Sequence, residues 1–186
     1  MKNKSDYIIT FILLLILIST CYSITTNATN TTKVTNTTKT TTNNQKLKIH
    51  IIPHSHMDTG WLHTFDEYFN NVKCVRCIFN NMVISLKSNT LRTFVVAEMA
   101  FFKLWYEDIS DNDKVLVKKL VNNGQLEFVN GGWVMNDEAD TLYNNILDQM
   151  RIGLNFLYEE FDITPKVAWS IDPFGHSITN VSLYKS

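Results

Sequence analysis

The feature that most constrains the fold is an alternation that begins at Leu47: short apolar runs with strand character, separated by stretches whose apolar residues recur at helical spacing. Leu47 to Pro53 reads as a strand ended by proline, and Thr64 to Leu86 as a helix. Leu91 to Glu98 is a second strand. Asp111 to Asn123 is the next helix, with Ser110 as its N-cap, acids in its first turn, Lys118 and Lys119 late and Gly124 just beyond. Gln125 to Asn130 is a third strand, closed by Gly131 and Gly132. Thr141 to Phe161 is a long helix with Leu142, Ile146, Met150, Leu154 and Leu157 on one stripe, and Pro165 to Ile171 is a fourth strand. Strands alternating with long helices specify βαβ units, so the expected fold class is α/β: a parallel sheet with flanking helices.

Sheets of this kind bind ligands beyond the carboxyl ends of their strands. The reactive residues of this chain fall there. His54-Ser55-His56-Met57-Asp58 follows the first strand, Glu98 the second, Asn130-Gly131-Gly132-Trp133 the third and Asp172-Pro173-Phe174-Gly175-His176 the fourth.

Residues 1–46 have a different character. Lys2 and Lys4 precede an apolar run from Tyr7 to Ile18, and Ser19 to Ser23 offers small residues for a cut after Ser23, the layout of a secretory signal peptide over 1–23 despite the acidic Asp6. The run is shorter than the ~20 residues needed to cross a bilayer, so no stable membrane anchor is expected. Residues 24–46 are dominated by Thr and Asn and carry no aromatic side chain, so they read as a solvated linker. Asn27, Asn30 and Asn36 head glycosylation triplets within it, which a compositional tract of Asn and Thr also produces, and Asn180 heads a fourth.

Residues 47–186 hold 19 of the 22 aromatic residues, 12 Lys and Arg and 17 Asp and Glu, a local charge of −5. That balance disfavours nucleic acid as a partner, because phosphate binding needs a cationic footprint.

His56 and Asp58 are two apart, so in an extended segment both side chains point the same way and can share a zinc ion or another divalent metal. A polar loop with local hydrogen bonds offers the same pair. Asp172, before Pro173 at the sheet mouth, suits a metal ligand, a nucleophile or a turn former. His176 either donates to that carboxylate or is a loop histidine. His54 and His63 read as supporting or surface groups. Trp61, Trp133 and Phe174 stand beside the polar residues, as in a pocket that meets the apolar side of a sugar ring, whereas Trp105 and Trp169 read as core. Asp137 and Glu138 read as first-turn acids of the following helix. Cys74 and Cys77 fall within the predicted Thr64–Leu86 helix, as two thiols or a local disulfide.

Three segments together resemble the successive motifs of glycoside hydrolase family 38, the lysosomal and Golgi class II α-mannosidases: Pro53 to Trp61, Glu127 to Ala139 and Trp169 to Ser177. Val134-Met135 after Gly-Gly-Trp leans towards the lysosomal branch. The resemblance implies one zinc ion with ligands His56, Asp58 and Asp172. It also implies Asp172 as the nucleophile of a retaining mechanism on terminal α-mannose, Trp61 and Phe174 lining the mannose subsite, mannose-containing glycans as partners, and a secreted or lysosomal destination. In that family the remaining zinc-ligand histidine and the acid/base carboxylate come well downstream of the Asp-Pro-Phe-Gly-His segment. The expectation is therefore a truncated α-mannosidase-like domain over 47–186, inactive on its own. The competing expectations are a non-catalytic secreted remnant that binds mannose or does not fold, and a metal-dependent carbohydrate deacetylase, whose order of motifs fits less well.

Overall fold

The computed structural model describes residues 47–138 and 141–185. The chain divides into two units, Met1–Leu47 and Lys48–Ser186, and the secondary structure of the described residues lies in the second. The expected signal peptide, the linker and the acceptors Asn27, Asn30 and Asn36 lie outside the described residues.

Among the described residues eight elements succeed one another: α1 (Phe65–Asn70), α2 (Val75–Ser88), β1 (Phe94–Val96), α3 (Met99–Asp108), α4 (Asp111–Asn122), β2 (Leu126–Phe128), α5 (Tyr143–Phe161) and α6 (Ile178–Lys185). β1 and β2 pair in parallel, with Phe94 opposite Leu126 and Val96 opposite Phe128. The α/β class expected from the alternation is the one observed.

The two outer strands differ from expectation. Leu47–Pro53 forms no regular strand among the described residues, and meets the sheet through a parallel bridge of His54 to Val95 and a hydrogen bond from the Val95 N–H to the Pro53 carbonyl at 2.9 Å. Leu47, Ile49 and Ile51 are exposed, so burial does not hold this segment in register. Pro165–Ile171 also lies outside the regular ladder. The Asn130 N–H donates to the Val167 carbonyl at 2.9 Å, and the Asn130 side chain takes over at Trp169.

Alternation along the strands sorts the two sheet faces. Phe94, Val96, Leu126 and Phe128 face the main core with the helices, whereas Val95, Ala97 and Val129 form a small cluster on the other face with Trp169. The main core is aromatic. Phe102 is fully buried, with ring neighbours Phe79, Trp105, Tyr106, Phe128, Phe156 and Phe161, and Phe65 stacks on Phe101 at 4.5 Å. At ~1.5–3 kcal/mol for each large apolar side chain removed from water, this cluster supplies much of the drive to fold.

The expected helix Thr64–Leu86 is two helices. Thr64 caps α1 in a reciprocal box with Glu67, and the chain turns at Asn71 before α2 starts behind Cys74, whose φ is 47°. Cys74 and Cys77 form a disulfide across a Cα separation of 5.1 Å, at the start of α2 and not inside a continuous helix. α3 has no counterpart among the predicted elements. Its sequence, Met99 to Asp108, is apolar almost all round, because most of its surface is buried, and so it lacks the one-sided stripe by which a surface helix is recognised. α4 and α5 lie where their caps and stripes put them. Asp137 and Glu138 are not first-turn acids of α5, which begins at Tyr143 behind Leu142.

Candidate metal centre

The site is assembled at the carboxyl edge of the sheet. Beyond β1 the chain enters α3 through Glu98, which takes the N-cap position without using its side chain as a cap. Carbonyls from the segment after β2 satisfy the first free N–H groups of α3 instead: Met99 donates to Gly132 and Ala100 to Trp133, both at 3.0 Å. The Glu98 carboxylate is therefore released from capping and turned inward, where it is only 4% exposed.

His56 reaches the same place from the segment before α1. Its Nε2 lies 3.4 Å from Asp58 Oδ1 and 3.2 Å from Asp172 Oδ2, while its Nδ1 lies 3.7 Å from Glu98 Oε1. His56, Asp58 and Asp172 each present a donor atom, and all three atoms fall within 4.8 Å of one another. A tetrahedral ion with bonds of ~2.0–2.2 Å spaces its ligand atoms ~3.3–3.6 Å apart, so the two His56 separations are close to those of a metal site. One imidazole and two carboxylates form a donor set suited to zinc and compatible with other divalent ions. Burial pushes the Glu98 pKa up to about 7, against the opposing pull of His56 and of the Met57 backbone N–H.

His56 supplies the imidazole that faces Asp172, the part considered for His176. His54 packs edge-on against Trp169 at 5.2 Å, and His63 stands beside Glu67 and Tyr68. Trp61 and Phe174 are 76% and 75% exposed. Trp133 instead packs against the main core. Trp105 is buried with its indole N–H donated to Asn80, and Trp169 belongs to the small cluster on the second face. Asn180 is 2% exposed, accepts from Asn136 and donates to Tyr184, so a glycan at this position and this packing exclude one another.

Sequence reasoning gave Glu98, Asn130 and Glu138 no specific part in the site. Asn130 grips the Trp169 peptide and so sets the path of the chain into Asp172. Glu138 accepts from the Ser177 N–H at 2.7 Å and holds the far end of the same segment. The available signals were a non-glycine residue before Gly131-Gly132 and an acid at the end of an apolar strand.

A parallel sheet with three convergent donors at its carboxyl edge defines an α/β protein with a candidate divalent-metal centre. Residues 46–186 match the glycosyl hydrolases family 38 N-terminal domain, and the chain belongs to that family. It is 48% identical over 146 residues to the lysosomal alpha-mannosidase of Bos taurus, covering 74% of this chain and 15% of that relative. It is 49% identical over 138 residues to a probable alpha-mannosidase of Arabidopsis thaliana, covering 71% of this chain and 13% of the relative. The lysosomal alpha-mannosidase of Homo sapiens matches at 45% over 146 residues, with 74% and 14% covered. The chain thus spans about one seventh of the length of these relatives. Among the described residues no helix is long and apolar enough to cross a membrane.

Proposed function

We propose that this chain carries the metal-and-nucleophile part of an α-mannosidase site: one zinc ion held by His56, Asp58 and Asp172, with Asp172 also the nucleophile. The observation that carries this reading is the convergence of those three side chains in a chain of family 38. The lysosomal names of several relatives support terminal α-mannose in glycans as the substrate and the lysosome or secretory route as the destination. The signal peptide over 1–23, the linker over 24–46 and glycans on Asn27, Asn30 and Asn36 belong to the same reading.

In the proposed reaction a carboxylate oxygen of Asp172 attacks the anomeric carbon of the terminal mannose. A bond to Asp172 forms as the glycosidic bond breaks, and the leaving oxygen takes the electron pair together with a proton from a general acid. Water then attacks the glycosyl ester and frees Asp172. Zinc, when bound, supplies Lewis-acid stabilisation of sugar oxygens. Trp61 and Phe174 offer aromatic faces to the apolar side of the pyranose. We assign no described residue as the general acid, so the chain by itself binds zinc and mannosides without turning them over.

The test is calorimetric titration of the chain with zinc, beside an assay with an aryl α-mannoside. Zinc binding that is lost in Asp172→Asn, with no release of the aryl group, is the expected result. Absence of zinc binding by the unaltered chain would sink the metal assignment, and robust turnover would overturn the assignment of inactivity. Release of acetate from an acetylated sugar would move the chain to the deacetylases.

A further inference from the structure

The geometry points to Glu98 as a positioning residue for the metal centre: when a metal takes His56 Nε2, the Glu98 carboxylate receives the Nδ1–H and holds the ring facing Asp58 and Asp172. This role rests on the proposed zinc site.

Three observations carry it. Glu98 is 4% exposed and its Oε1 has no hydrogen-bond partner among the described residues, a costly state for a buried carboxylate oxygen unless a donor comes to it. The nitrogen facing that oxygen is His56 Nδ1 at 3.7 Å, a few tenths of an ångström beyond hydrogen-bond reach. The opposite ring nitrogen, Nε2, is the one facing Asp58 and Asp172, at 3.4 and 3.2 Å. A ring shift of under ~1 Å closes the Nδ1 contact to hydrogen-bond length, and sites of this kind often tighten only when loaded.

The chemistry needs such a partner. A neutral imidazole carries one N–H, and a metal takes the other nitrogen only if the proton stays off it. Without metal, Nε2 donates to the Asp172 carboxylate at 3.2 Å, and that proton must move before a metal can take Nε2. An acceptor at Nδ1 receives the N–H of the metal-bound ring and fixes the ring plane. The fold supplies the acceptor because the carbonyls of Gly132 and Trp133 cap α3 and free the Glu98 side chain from that task.

The experiment uses the chain as it is, with Glu98→Gln and Glu98→Asp. Proton–nitrogen NMR of the zinc-loaded histidine rings, well above the ordinary histidine pKa of ~6.5, reads whether the His56 Nδ1–H is hydrogen-bonded. Calorimetry with Zn²⁺ alone reads affinity, and thermal melting of the metal-free proteins reports whether each variant is folded. The zinc-loaded unaltered chain should show a downfield, slowly exchanging His56 Nδ1–H. Glu98→Gln should weaken zinc by about 10- to 100-fold with unchanged stoichiometry, and should move that proton upfield. Glu98→Asp should recover part of both.

A fast-exchanging His56 Nδ1–H in the zinc-loaded unaltered chain would overturn the inference, as would a folded Glu98→Gln that binds zinc like its parent. If the unaltered chain binds no zinc, the metal reading fails and this role with it; if it binds zinc without a hydrogen-bonded Nδ1–H, the role of Glu98 alone fails.

Discussion

Asn130 holds the Trp169 peptide from both sides: its side-chain carbonyl accepts from the Trp169 N–H at 2.5 Å and its amide nitrogen donates to the Trp169 carbonyl. A side chain thereby does what a neighbouring strand's backbone would do. It reaches that position because Asn130 has left-handed backbone, φ 56°, a conformation asparagine tolerates better than most residues. Three residues beyond Trp169 lies Asp172, so this clamp helps to decide where the carboxylate stands.

Removing the clamp should therefore loosen both fold and site. Asn130→Ala leaves two Trp169 backbone groups without their partners, and each unpaired group in a partly buried place costs ~1–3 kcal/mol. The expected result is a urea midpoint lowered by the equivalent of about 2–6 kcal/mol on that scale, together with weaker zinc binding. Stability and affinity equal to those of the unaltered chain would show that the clamp is idle.

Gly153 of α5 lets the segment after β2 lie directly on the helix. A Cβ there would meet the Gly131 carbonyl oxygen at 2.1 Å and the Trp133 nitrogen at 2.8 Å, backbone atoms with little room to give. Gly153→Ala should destabilise by ~1–3 kcal/mol or more, since helix and loop must separate to admit the methyl group. Gly60→Ala is the matched control: nothing lies within 4 Å of the added atom, so its melting temperature should barely move.

Phe102 is fully buried at the centre of the aromatic core and touches rings from α2, α3, β2 and α5. Phe102→Ala should cost ~3–5 kcal/mol, a large share of the ~5–15 kcal/mol that ordinarily holds a domain together. Loss of near-ultraviolet circular dichroism at 25 °C, as the tightly packed aromatic rings lose their fixed environment, is the readout.

If His56, Asp58 and Asp172 hold zinc in the folded state only, the ion should raise the thermal midpoint. The gain is ~2.7 kcal/mol when free zinc is 100 times its dissociation constant. A chelator should abolish the gain, as should His56→Ala. An equal rise in the His56→Ala protein would place the zinc elsewhere.

The cap of α1 gives a pH signature. Two hydrogen bonds from Thr64, backbone N–H first and hydroxyl second, hold the Glu67 carboxyl below its usual 4.5, with His63 adding to the effect. The folded value lies below the unfolded one, so this contribution is present above about 4.5 and is lost as pH falls through the lower folded value. Thr64→Ala should lower stability at neutral pH by ~1 kcal/mol and flatten the acid limb of the melting curve. Parallel melts of the two proteins from neutral to acid pH decide it; curves offset by a constant amount would contradict the prediction.

Much of the fold was legible because its signals are local. Ser110 caps α4 as read, accepting from the Asp113 N–H at 3.2 Å, and Gly124 follows the helix with φ 76°. The apolar stripe of α5 and the strand character of Phe94–Val96 and Leu126–Phe128 were equally plain. α3 escaped because a helix apolar on nearly every side has no periodic contrast. The break between α1 and α2 escaped because left-handed backbone at a cysteine leaves no mark in hydropathy.

The sequence by itself determined the α/β class, the helices with caps and stripes, and the candidate donors His56, Asp58 and Asp172, since residue type, spacing and motif order are properties of the chain. Only the tertiary structure decided that these three donors converge, that Glu98 turns inward to face His56, and that Asn130 stands in for a strand at Trp169. The physical reason is range. Propensity, capping and periodicity act over a few residues, whereas each of these relationships joins segments tens of residues apart and exists only once the sheet and its helices have packed.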